Sequence, residues 1–152
     1  MKILLLVSIG LTFCSAQQEE EEGAGATVIP PASLWNLRGM AQCVLNYSAL
    51  FNYNGYGCWC GFGGSGEPVD GIDECCKEHD ECYDAAVADN ICGKISPYIK
   101  GYTWECDKKT SDAICSSKDT GCKAFLCDCD KKAVDCWKRF PKPEKKAKCI
   151  KK

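Results

Sequence analysis

The chain contains a single histidine, His79, followed at once by Asp80. The pair lies in the run Cys75-Cys76-Lys77-Glu78-His79-Asp80-Glu81-Cys82-Tyr83. An imidazole beside a carboxylate can move a proton near neutral pH, so any histidine chemistry is confined to this stretch. If the run is helical, the 3.6-residue period sets Cys75, His79 and Cys82 on one stripe and Cys76, Asp80 and Tyr83 on the next. A solitary histidine is ordinarily a hydrogen-bonded packing residue. The adjacent carboxylate and the cysteine frame favour a site here, because clustered titratable groups mark sites.

Directly upstream, Tyr56-Gly57-Cys58-Trp59-Cys60-Gly61-Phe62-Gly63-Gly64-Ser65-Gly66 carries five glycines in eleven residues. Such a backbone is free to turn its carbonyls inward. The stretch matches neither the phosphate-loop nor the dinucleotide pattern. Backbone carbonyls next to one carboxylate instead make a hard-cation site, and Ca2+ prefers oxygen ligands of this kind. A second carboxylate comes from further along. Cys122, Leu126, Cys129, Ala133 and Cys136 recur at helical intervals, and Asp130 sits beside that seam. If the two cysteine-bearing helices run antiparallel and are tied together, Asp130 can reach His79.

The elements that must position these groups are few. Ser33 can cap a first helix whose apolar stripe is Leu34, Leu37, Met40, Ala41 and Val44. Residues 47–56 read as loop. A second helix is expected from Asp70 to about Asp89, and residues 92–102 as a loop broken by Gly93, Pro97 and Gly101. Segments 102–106 and 113–116 suggest two short strands joined by a polar turn at 108–112, a wing that would lean on disulfides. A third helix is expected over about 119–139, ended by Pro141 and Pro143, with Cys149 tying down the tail. The predicted fold is mainly α: a disulfide-rich domain with a short N-terminal helix, two long antiparallel disulfide-linked helices, a Gly-rich calcium loop and a small two-stranded β-wing.

Composition sets the compartment. Residues 1–16 read as a secretory signal, with Lys2, an apolar run too short to span a bilayer, and Cys14-Ser15-Ala16 as the cleavage site. Residues 17–32 hold Glu19 to Glu22 and a Gly-Ala and Pro-Pro stretch, which reads as an acidic pro-segment or disordered leader. The domain is then 33–152. Of 15 cysteines, Cys14 falls in the signal, leaving an even 14 and up to seven disulfides in a secreted, extracellular chain. A cysteine zinc site, suggested by Cys58-Trp59-Cys60, is disfavoured by the export signal and by the lack of C-x-x-C spacing. The net charge of −2 conceals an asymmetry, because residues 131–152 carry ten Lys or Arg against Asp135 and Glu144. That basic end suits anionic partners such as lipid surfaces or sulfated glycans, and equally suits a solvated tail that aids solubility.

At these residues the chain resembles a family. The glycine loop followed by Asp73-Glu-Cys-Cys-Lys-Glu-His-Asp-Glu-Cys-Tyr is similar to secreted phospholipase A2 of the pancreatic and elapid-venom type, over about residues 33–149. Cys127-Asp128-Cys129-Asp130 matches the family's third-helix motif. The resemblance implies calcium ligands at the carbonyls of Trp59, Gly61 and Gly63 and at the Asp80 carboxylate. It implies His79 as the general base acting on water, Asp130 as the carboxylate orienting it, Tyr83 and Tyr102 as hydrogen-bond donors to Asp130, and the Gly61 N–H as an oxyanion donor. The implied disulfides are Cys43–Cys106, Cys58–Cys149, Cys60–Cys76, Cys75–Cys136, Cys82–Cys129, Cys92–Cys122 and Cys115–Cys127.

The residues agree with that chemistry, since no Gly-x-Ser-x-Gly elbow offers a serine nucleophile and activated water is the natural alternative. The expected function is calcium-dependent hydrolysis of the sn-2 ester of glycerophospholipids. Leu34, Leu37, Ala41, Cys60, Cys76 and Tyr98 are candidate channel or entrance residues, and Trp35 and the basic tail are candidates for membrane contact. The expected partners are a phospholipid membrane or micelle surface and, through the basic end, anionic lipid or glycan; nucleic acid is not among them. Two departures from the family pattern stand out: Asn36 where Gln is usual, and Trp59 where Tyr is common. The alternative reading is a non-enzymatic toxin, receptor-binding or matrix protein on the same scaffold.

Overall fold

The computed structural model describes residues 32–150. The expected signal, and the acidic segment up to Pro31, lie outside the described residues. Ala32, which composition assigns to that segment, is the first residue of helix α1 (Ala32–Leu45). The elements that follow are α2 (Ala49–Tyr53), α3 (Gly71–Ala88), α4 (Ser96–Ile99), strands β1 (Trp104–Asp107) and β2 (Asp112–Cys115), and α5 (Cys122–Trp137).

Several of these correct the sequence expectation. Ser33 is not a cap, because the helix starts before it; its hydroxyl donates to the Tyr98 carbonyl at 2.7 Å and staples α1 to α4. The 47–56 stretch is not all loop, since α2 forms where Ala49 and Tyr53 can be buried. Pro97 does not break the chain but helps start α4, a position where its missing N–H is no loss. Helix α5 begins three residues later than expected because Gly121 adopts φ +56 just before it. Asp119 lies outside the helix and accepts the Thr103 N–H.

Helix α3 is the element the site depends on. Asp70 caps it, its Oδ1 accepting the N–H groups of Ile72 and Asp73 at 3.0 Å each, an arrangement typically worth ~1 kcal/mol. Asp73 and Glu74 in the first turn complement the helix dipole. Two disulfides bind α3 to α5, Cys75–Cys136 and Cys82–Cys129. One number rises as the other falls, so the helices are antiparallel. Cys92–Cys122 adds a third tie beyond the end of α3.

The wing is a two-stranded antiparallel sheet with Trp104 opposite Cys115 and Cys106 opposite Ala113. Cys43–Cys106 holds it to α1 and Cys115–Cys127 to α5. With Cys60–Cys76 and Cys58–Cys149, every cysteine from Cys43 to Cys149 is in a disulfide, so no thiolate remains for zinc. These are the pairings that the resemblance implies. The core beneath them is modest: Met40, Ala41 and Val44 of α1 cluster with Leu126, Ala133 and Val134 of α5. Leu34, the first member of the expected α1 stripe, is instead exposed. Among the described residues no helix is long and apolar enough to cross a membrane.

Candidate functional site

The two stripes of α3 have two different partners. Cys75 and Cys82 face α5 through their disulfides, so His79, midway between them, is turned toward the same helix. Cys76 is bonded to Cys60 in the glycine loop, so the side of α3 carrying Cys76 and Asp80 faces that loop, while Tyr83 further along reaches across to Asp130 of α5. One helix thus presents its imidazole to α5 and its carboxylate to the loop.

On the α5 side, His79 Nε2 lies 2.7 Å from Asp130 Oδ1. Asp130 is fully buried and also accepts the Tyr83 hydroxyl on Oδ1 at 2.8 Å and the Tyr102 hydroxyl on Oδ2. A buried carboxylate is tolerated only when its oxygens are hydrogen-bonded, and three donors meet that need. Burial, followed by the negative charge of Asp130, raises both tyrosine hydroxyls far above their ordinary range. They remain protonated and donate to Asp130. Because Asp130 is an acceptor, the His79 proton sits on Nε2, and Nδ1 is left as the basic nitrogen.

Tyr102 is itself braced. The Asn36 amide donates to its carbonyl at 3.0 Å and accepts its N–H at 3.2 Å. Asn36, one methylene shorter than the family's usual Gln, ties α1 through both its amide nitrogen and its oxygen to the segment that supports Asp130.

On the loop side the main chain alternates. The Cys58 and Cys60 carbonyls accept the N–H groups of Ser65 and Gly55 at 3.2 and 2.6 Å. Among the described residues no hydrogen bond reaches the carbonyls of Trp59, Gly61 or Gly63, and the Gly61 N–H has no acceptor. Gly63 holds φ +76, a conformation that favours glycine. Asp80 is half-buried and makes no hydrogen bond; the His79 Nδ1 lies 3.9 Å from its Oδ1. Burial pushes its carboxyl up to about 6, helped by Asp84 and opposed by His79. Three unpaired carbonyls beside a carboxylate that lacks a counter-charge fit a hard cation with oxygen ligands, and calcium is the ion that suits such a flexible, carbonyl-rich set. Among the described residues no group of three His, Cys, Asp or Glu side chains could hold a metal ion, so a cation at this place would depend on main-chain oxygens.

His79 and Asp80 line a cavity of about 550 Å3 with Leu34, Leu37, Cys60, Cys76, Tyr83 and Tyr98. Ala41 does not line it; this residue is fully buried in the core. The lining also includes residues that the sequence does not single out, among them Phe51, Tyr53, Asn54, Phe62 and Trp137. Tyr53 and Trp137 pack against each other at 4.9 Å between ring centroids. Phe51 and Phe62 stand exposed at the mouth, Phe62 by 94%. The most consequential omission is Asp73. It is fully buried, and its carboxylate accepts the N–H groups of Cys58 and Trp59 at 2.8 Å and of Val69 at 2.9 Å. Its spacing of seven from Asp80, with Cys76 between, was the available signal: all three share one stripe of α3.

Comparison with known proteins bears on the same residues. Rabbit (Oryctolagus cuniculus) phospholipase A2 is 44% identical over 91 residues, covering 58% of this chain and 63% of the relative. The Bos taurus phospholipase A2 is 41% identical over 87 residues, covering 55% and 60%. An acidic phospholipase A2 from the cobra Naja sagittifera is 44% identical over 80 residues, covering 53% and 61%. The chain thus spans somewhat under two thirds of the length of each of these relatives. The family model described as phospholipase A2 matches residues 34–148, from the first turn of α1 to the segment that pairs with the glycine loop, and on that match the chain belongs to the phospholipase A2 family.

Proposed function

We propose that the protein is a secreted, calcium-dependent hydrolase that cleaves the sn-2 ester of glycerophospholipids to a lysophospholipid and a free fatty acid at a membrane or micelle surface. One observation carries this reading: an imidazole held 2.7 Å from a fully buried carboxylate lines an apolar cavity beside a half-buried carboxylate and unpaired carbonyls.

In this reading His79 Nδ1 accepts a proton from a water molecule as the water oxygen bonds to the ester carbonyl carbon. The imidazolium then gives that proton to the glycerol oxygen as the C–O bond breaks. Asp130 fixes the tautomer and stabilises the imidazolium, as the acid of a catalytic triad does. Tyr83 and Tyr102 keep Asp130 in place without competing as acids. The Gly61 N–H donates to the carbonyl oxygen as it gains charge, a role typically worth ~3 kcal/mol. The carbonyls of Trp59, Gly61 and Gly63 and the carboxylate of Asp80 would hold a calcium ion, which would supply Lewis-acid chemistry at this site.

Leu34, Leu37 and Tyr98 contact the acyl chains in the cavity. Trp35, Phe51 and Phe62, exposed around its mouth, are the side chains that meet the lipid surface; contiguous exposed apolar groups of this kind mark interaction sites. The basic C-terminal segment is anchored by Cys58–Cys149 and by the Lys146 ammonium on the Asn54 carbonyl. It offers exposed lysines to anionic lipid or glycan.

The deciding experiment uses phospholipid vesicles labelled on the sn-2 chain, with and without Ca2+. Labelled fatty acid released only with Ca2+ supports the reading. Label retained in the lysophospholipid overturns the sn-2 assignment, and unchanged release in EGTA removes calcium. No release from any phospholipid favours the non-enzymatic alternative.

A further inference from the structure

Calcium ligation as proposed above draws on two separate pieces of chain, the glycine loop and helix α3, and their relative position decides whether a cation fits. Three points along one stripe of α3 meet the loop. Asp73 accepts the Cys58 and Trp59 N–H groups of the loop and the N–H of Val69, in the segment that leads from the loop into α3. Cys76, three residues on, is bonded to Cys60. Asp80, four further, contributes the carboxylate. From Asp73 to Asp80 is about 10.5 Å along a rigid helix axis. The same helix that carries the carboxylate ligand therefore sets the height of the carbonyl ligands.

We infer that Asp73 is a positioning residue for the cation loop, tying the loop's start at Cys58 and Trp59 to the first turn of α3 so that the Trp59, Gly61 and Gly63 carbonyls are arranged before the ion arrives. Gly57 shows how closely the loop is drawn in. It adopts φ +61, and a Cβ there would lie 2.2 Å from the Asp73 carboxyl carbon, so only glycine lets the backbone reach the carboxylate. A carboxylate is required as well, because three N–H donors converge on it. An asparagine of the same shape would turn its own NH2 toward at least one of them. The inference rests on the calcium reading of the preceding subsection.

The test measures calcium affinity directly, by isothermal titration calorimetry on the full disulfide-bonded protein, for wild type, Asp73→Asn and Leu126→Ala. The last is a control in the core, away from the loop. Loss of an outer-shell partner ordinarily weakens metal binding ~10–100-fold, and that is the rise in Kd expected for Asp73→Asn. Leu126→Ala should lower thermal stability and leave Kd unchanged, which separates positioning from general loosening. Should Asp73→Asn fail to fold, Gly57→Ala presses on the same carboxylate from the loop side and should raise Kd in the same way. An unchanged Kd in the Asp73 or Gly57 variant, or an equal rise in the core variant, overturns the inference while leaving the calcium site standing. A wild-type protein that binds no calcium overturns both.

Discussion

Replacing Asp80 by asparagine should stabilise the protein without calcium and abolish its stabilisation by calcium. The carboxyl is pushed up to about 6 from its ordinary 3.8, mainly by burial. A folded-state pKa above the unfolded one means that folding favours the protonated acid. That contribution is complete below about pH 3.8 and is lost as pH rises through about 6. At pH 8 the ionised side chain therefore opposes folding. The full displacement corresponds to ~3 kcal/mol at 1.36 kcal/mol per decade. The side chain is 32% exposed, and solvent screening brings the figure down to ~1–2 kcal/mol. Asp80→Asn should gain about that much in urea unfolding at pH 8 in EDTA, with disulfides intact and tryptophan fluorescence as the probe, and gain nothing near pH 3. Calcium at a hundredfold excess over Kd should add ~2.7 kcal/mol to wild type and nothing to the variant, reversing their order. If the variant is the less stable one in EDTA at pH 8, or holds the same advantage at both pH values, the desolvation argument is wrong. If calcium stabilises both equally, Asp80 is not a ligand.

Three further outcomes follow from the same geometry. His79→Gln should cut hydrolysis by at least ~10²-fold, the usual worth of a general base, while far-ultraviolet circular dichroism stays unchanged; substantial residual turnover would refute the assignment of the base. Tyr102→Phe removes the donor to Asp130 Oδ2 inside a fully buried site and should lower unfolding free energy by ~1–3 kcal/mol, an effect absent if that bond is immaterial. EGTA should stop fatty-acid release and added Ca2+ restore it. Mg2+ should not, because it demands octahedral geometry and resists dehydration; full rescue by Mg2+ would contradict a carbonyl-lined loop.

Helix positions were readable wherever a side-chain period recorded the packing. The seam from Cys122 to Cys136 and the cysteine stripes of α3 were visible because each member is buried or bonded on one face. Short elements were not. Helix α2 has five residues and α4 has four, too few for a period to emerge. Both exist because the surrounding structure rewards burying Tyr53 and Pro97. Ala41 shows the converse limit. Its place in an apolar stripe gave its burial correctly but could not say whether it faced the core or the cavity, since both sit on the same side of α1.

The site divides along another line. His79, Asp80 and Asp130 carry their chemistry in side chains, so residue type and spacing alone could nominate them. The loop's oxygens are main-chain atoms that every residue possesses, and nothing in Trp59, Gly61 or Gly63 as letters distinguishes their carbonyls from those of Cys58 and Cys60. The distinction appears only in the hydrogen-bond accounting, where alternate carbonyls are consumed by Ser65 and Gly55 and the others are not. Asp73 was hidden for a related reason: a carboxylate in the first turn of a helix is adequately explained by the helix dipole, and that sufficient local explanation masks its bonds to a loop some fifteen residues upstream. A residue of this kind becomes visible when one asks which buried group satisfies the loop's N–H donors. On that question the sequence is silent, because the donors, like the carbonyls, belong to the backbone.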